Sequence, residues 1–71
     1  MNTSTLRQLW SVIEETQTST LLNFNDKDLI QQLLKQLQHQ KLLNNEELNT
    51  ISTYLSSKVL LIRDIALARL A

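Results

Sequence analysis

Not one of the 71 residues is glycine or proline, and no other feature narrows the choice of fold so far. At average usage, a chain of this length would carry about eight of the two together. Proline breaks a helix by removing a backbone donor, and glycine supplies the positive φ that tight turns need. Without either, a turn with positive φ falls to Asn or Asp. Sixteen leucines against one Trp, one Tyr and one Phe point the same way. The expectation is an all-α domain.

The helix starts are spelled out locally. Leu43-Asn44-Asn45-Glu46-Glu47-Leu48 echoes Phe24-Asn25-Asp26-Lys27-Asp28-Leu29. Both have the form of a capping box. An Asn at the N-cap accepts from the amide three residues on, and the acid there reaches back to the cap amide. Phe24 with Leu29, and Leu43 with Leu48, supply the flanking apolar staple. Asp28 is shorter than Glu47 and makes the less ideal box. Thr5 with Gln8 and Leu9 is a weaker third start. The echo is therefore helix punctuation and not a functional repeat. Each cap stabilises its helix by about 1 kcal/mol.

Three starts predict three helices in a single domain, over about 5–17, 26–41 and 45–70. In the first, Leu6, Leu9, Trp10 and Ile13 share a face with Val12 at its edge. Glu14 and Glu15 stand at the negative end of the dipole, so that end is expected to fray. Residues 16–24 read as a connector whose Leu21, Leu22 and Phe24 tuck into the core, with room for a helical turn at Leu21 and Leu22. The second helix carries an unbroken stripe of Leu29, Ile30, Leu33, Leu34 and Leu37, and a tight turn follows it. The third spans about 39 Å if continuous. No capping box follows Ser56-Ser57, so continuity is expected.

The last third of that helix is the odd part. Val59, Leu60, Leu61, Ile62, Ile65, Ala66, Leu67, Ala68 and Leu70 run almost all the way round it. A helix apolar on every side is a buried helix, and two short helices cannot wrap it. Each Leu or Ile left in water forgoes roughly 1.5–3 kcal/mol. The expectation is a homodimer, or a helical protein partner, docked on the C-terminal helix. Leu60, Leu61, Ile65 and Leu67 are the expected interface residues. Arg63 is expected at the rim, as is Asp64 unless the two pair across the contact.

Chemistry finds little to stand on. The chain has no Cys and one His, which removes thiolate metal sites and histidine clusters. His39 falls on the polar face of the second helix and reads as a solvated side chain. The pairs Glu14-Glu15 and Glu46-Glu47 diverge by about 100° on a helix and do not converge on a substrate. A phosphate loop needs glycine. No catalytic, cofactor-binding or metal-binding residues are assigned, and no small-molecule substrate is expected. Trp10 reads as core rather than as a recognition anchor.

Seven basic and seven acidic residues cancel, so the surplus typical of nucleic-acid binders is absent. Residues 58–71 carry a local +2, from Lys58, Arg63 and Arg69 against Asp64. With the short turn before the third helix, that charge suggests a helix–turn–helix DNA-binding regulator as the alternative. Glu46 and Glu47 in the would-be reading helix oppose phosphate, and its leucines stand where base-reading groups should be. Nucleic acid is the disfavoured partner. The stretch 59–71 has 13 residues and three charges, too short and too charged to span a bilayer. No basic-then-apolar leader follows Met1. The expectation is a small cytoplasmic interaction or regulatory module.

Overall fold

A computed structural model describes residues 2–70. They form four helices: α1 (Thr3–Glu15), α2 (Thr18–Asn23), α3 (Asp26–Gln40) and α4 (Asn45–Ala68). The all-α class and the long C-terminal helix stand as expected. The fourth element is α2, a six-residue helix where the sequence suggested a connector with at most one turn.

The caps explain the starts. At Asn44 the box is complete: its side chain accepts from the Glu47 amide at 2.8 Å, and Glu47 Oε1 accepts from the Asn44 amide at 3.3 Å. At Asn25 the side chain accepts from the Asp28 amide at 2.8 Å. The first helix starts two residues before the expected position, because Asn2 and not Thr5 is its cap, accepting from the Thr5 amide at 2.8 Å. Asn caps at least as well as Thr. Thr5 instead turns inward and is buried, its hydroxyl accepting from Lys41 Nζ at 2.6 Å.

The helix ends use no left-handed residue. Among the described residues none has positive φ. The chain leaves α1, α2 and α3 through extended residues at Thr16, Phe24 and Lys41. Extended backbone suits any residue type, so the absence of glycine costs these turns nothing.

Packing runs α1 on α3, α3 on α4 and α2 on α4. Leu29, Leu33 and Leu37 recur every four residues on α3 and are fully buried. They meet Leu9, Val12 and Ile13 of α1, Leu21 of α2, and Ile51, Leu55, Ile62 and Ala66 of α4 in one core. The buried face of α1 is rotated from the expected one: Thr5, Leu9, Val12 and Ile13 point inward, while Leu6 and Trp10 are half-buried. Phe24 lies largely outside the core, whereas Leu21 is fully within it.

Helix α4 is continuous through Ser56-Ser57. Ser57 Oγ donates to the Tyr54 carbonyl at 2.7 Å, a local bond that satisfies the hydroxyl without breaking the helix. At about 36 Å α4 matches the longest dimension of the molecule, 36 Å. Trp10 joins α1 to it: the indole Nε1 donates to the Tyr54 hydroxyl at 3.0 Å, and the rings meet edge to face at 6.4 Å. Trp10 is thus committed within the chain. Tyr54→Phe is expected to keep the ring contact and lose the hydrogen bond, a cost of about 1 kcal/mol that lowers the thermal midpoint by roughly 5 °C. Thermal unfolding followed by Trp10 fluorescence checks this.

Candidate functional site

The covering of α4 is one-sided. Ile51, Leu55, Val59, Ile62 and Ala66 recur every three or four residues and are buried, so one face of the helix lies against the body from end to end. Contrary to the expectation of only two short helices around the last third, α2 is a third element there and packs on α4. It covers the inner face alone. On the outer face Leu60 is 80% exposed, Leu61 46% and Leu67 54%; Leu70, beyond the end of α4, is 68% exposed.

Helical spacing makes Leu60, Leu61 and Leu67 one stripe. Leu60 and Leu67 are seven residues apart, two turns of one row, and Leu61 and Ala68 form the adjacent row. These leucines form a short exposed apolar stripe, with Asp64 between Leu60 and Leu67. Two further large apolar residues are exposed away from the stripe: Phe24 after α2, at 40%, and Leu42 in the α3–α4 turn, at 96%, at the opposite end of α4.

The other expected interface residues behave differently. Ile65 is only half-exposed, at the margin of the stripe. Arg63 does not stand at a free rim. Its guanidinium donates to the Leu21 carbonyl at 2.8 Å, to Leu22 at 3.4 Å, to Phe24 at 2.9 Å and to Asp26 Oδ1 at 2.7 Å. The last carbonyls of a helix lack intrahelical donors, and Arg63 serves those at the end of α2. Arg69 does the same for α1, donating to the carbonyls of Ile13, Glu14 and Thr16 at 3.3, 3.1 and 2.8 Å. The end of α1 is therefore tied down and not frayed, despite Glu14 and Glu15. Sequence periodicity has no view of either arginine's task, because the partners lie about forty residues or more away.

These commitments bear on the DNA alternative. Of its three cations, Arg63 and Arg69 are spent on helix ends, and Lys58 lies over the Tyr54 ring, 5.8 Å from its centroid. Counterion release requires cations that reach phosphate, and these three side chains are engaged with carbonyls and a ring of the same chain. Glu46 and Glu47 occupy the first turn of α4.

Two of the surface clefts are lined mainly by polar side chains. One of about 180 Å³ at the start of α4 is lined by Thr5, Asn44, Glu46, Glu47, Thr50 and Ile51. Its cap and acids already satisfy the helix terminus and repel anions. Another of about 300 Å³ between α1, α2 and α3 is dominated by the amides of Gln17, Gln32, Gln36 and Gln40. His39 lines neither and is exposed in the last turn of α3. The described residues hold no group of three His, Asp or Glu side chains placed to bind a metal ion. No described helix is long and apolar enough to cross a membrane. Set against protein-family models, curated proteins and solved structures, the chain gave no match.

Proposed function

We propose that this domain is a non-catalytic protein–protein interaction or regulatory module that associates with a second copy of itself through the outer face of α4. The carrying observation is the stripe of Leu60, Leu61 and Leu67 on a helix whose opposite face is fully used. A second copy suits it for two reasons. Two-fold contacts are the commonest way to cover such a face. Leu60 and Leu67, two turns apart, also match their own counterparts when the helices run antiparallel. The hydroxyl groups of Thr53, Ser56 and Ser57, all exposed, continue the face toward the start of α4 and supply a polar rim. A standard interface buries about 800 Å² per partner. The stripe is smaller, so it forms the apolar centre of a modest contact and not an obligate one. The cytoplasm is the working compartment in this reading, and neither cofactor nor small-molecule substrate takes part.

Sedimentation equilibrium tests the proposal. Dimer is expected at tens of micromolar, and a monomer there overturns it. Leu60→Asp places a charge on an already exposed position, so the variant should keep the thermal midpoint of the parent within a few degrees and lose the dimer. A variant that stays dimeric removes the stripe from the interface. Runs with duplex DNA at two salt concentrations test the alternative: a complex that weakens steeply with salt would make DNA the partner.

A further inference from the structure

Helix α2 is held in place from outside itself. Its six residues, Thr18-Ser19-Thr20-Leu21-Leu22-Asn23, include two threonines, a serine and an asparagine, residue types that favour caps and turns over helix interiors. A helix this short does not persist alone, because too few backbone bonds follow its costly nucleus. Gln17 makes no side-chain bond at its start, and Leu21 is its one buried residue. It packs on α4, and the polar groups that tie it there are Arg63 and Arg69, the latter at the C-cap of α4. Arg63 takes the carbonyls of Leu21, Leu22 and Phe24. Arg69 Nη1 donates to the Thr16 carbonyl at 2.8 Å and reaches Thr18 Oγ1 at 3.5 Å.

The helices on either side of α2 are closed off without its help. Thr16 ends α1: its amide donates to the Val12 and Ile13 carbonyls at 3.1 and 3.2 Å, and its hydroxyl donates to Val12 at 2.6 Å. Asn25 starts α3, its side chain accepting from the Asp28 amide and its carbonyl from the Leu29 amide at 2.9 Å. Gln17 and Phe24, which flank α2, are extended. The caps that bound α1 and α3 therefore stay intact when α2 leaves, and Arg69 Nη2 keeps its bonds to Ile13 and Glu14. Opening α2 takes one fully buried leucine out of the core and releases Arg63, a loss offset by the regained backbone freedom of the segment. Global unfolding exposes every other member of the core as well. The local opening is the smaller step.

We infer that α2 is a strap across the last third of α4: residues 17–24 open as one unit while α1, α3 and α4 stay packed, and Arg63 is the catch that holds them shut. The hinges are the junctions of Thr16 with Gln17 and of Phe24 with Asn25. Opening uncovers the stretch of α4 beside Arg63 and frees its guanidinium, so access to that side of the helix is governed within the chain. The strap needs no second copy and stands apart from the self-association reading.

Native-state hydrogen exchange in low urea tests it, on the full chain, Ile51→Val and Arg63→Lys, at a concentration where the protein is monomeric. The probes are the amides of Leu21, Leu22 and Asn23 in α2 against those of Leu33 and Leu37 in α3. In the parent the α2 amides should share one protection factor, at least about tenfold below that of the α3 pair. It should depend little on urea, since the opening exposes little surface. Ile51 is buried in the first half of α4, in the part of the core that stays packed. Ile51→Val should lower α3 protection roughly threefold to tenfold and leave that of α2 unchanged. Arg63→Lys weakens the catch and should lower α2 protection about tenfold. Amides of α2 that match α3 in the parent and fall with them in Ile51→Val open only with the whole fold, which overturns the strap. So does a Leu21 amide protected to the α3 level beside unprotected Leu22 and Asn23, which is fraying, and so does an α2 with no protection in the parent. Protection of α2 that Arg63→Lys leaves unchanged removes the catch and overturns the inference as stated.

Discussion

Ile62→Ala is expected to bring the chain to the edge of unfolding, while Leu61→Ala, one residue away, changes stability by less than about 1 kcal/mol. Ile62 is fully buried in the common core and Leu61 lies half in water. Truncating a buried Ile costs roughly 2–5 kcal/mol, the lost transfer energy plus the cavity left behind. A domain of this length holds only about 4–10 kcal/mol in total, at 0.05–0.15 kcal/mol per residue. The loss is thus a large share of what exists. Urea titration at a concentration where the protein is monomeric checks it, because dimerisation otherwise adds to apparent stability. Equal midpoints for the two variants would mean that the covered face of α4 has been assigned wrongly.

The second large effect is at Arg63. Arg63→Met keeps much of the aliphatic stem and removes a fork that serves three carbonyls and one carboxylate. A six-residue helix is too short to persist without tertiary support. The carbonyls at its end face the negative pole of the dipole, which a cation offsets. Arg63→Met is expected to cost about 2–3 kcal/mol, in the range for hydrogen bonds to charged groups. The thermal midpoint should fall by roughly 10–15 °C. Arg63→Lys should recover less than half, since an ammonium lacks the planar fork. Asp26→Asn should cost under about 0.5 kcal/mol, because the carboxylate is 72% exposed and such pairs contribute little in water. If Asp26→Asn proves as damaging as Arg63→Met, the ion pair and not the carbonyl cap is what matters. Hydrogen exchange gives an independent reading: in Arg63→Met the α2 amides should lose protection before those of α3.

The same two residues show what can be read from the chain alone. Ile62 and Leu61 both belong to a run that is apolar on nearly every side; the spacing of Ile51, Leu55 and Val59 carried along the helix favours Ile62 for burial, but does not say whether a covering element also takes in Leu61. The choice depends on where α2 lands, and α2 has no cap of its own: Gln17 makes no side-chain bond at its start. The stripe was partly legible. Leu60, Leu61 and Leu67 stood out as apolar surplus and are exposed, whereas Ile65 is half-covered and Arg63 faces the body.

The residues by themselves determined the all-α class, the starts at Asn25 and Asn44, the buried Leu29–Leu33–Leu37 row and the unbroken course of α4. Each rests on interactions that close within about four residues, so the information sits in adjacent letters. Only the tertiary structure decided how far round α4 the covering extends and how Arg63 and Arg69 are employed. Those contacts join Arg63 to Leu21, 42 positions away, and Arg69 to Ile13, 56 away. At that separation the partner is set by how the helices stack, which no local pattern encodes.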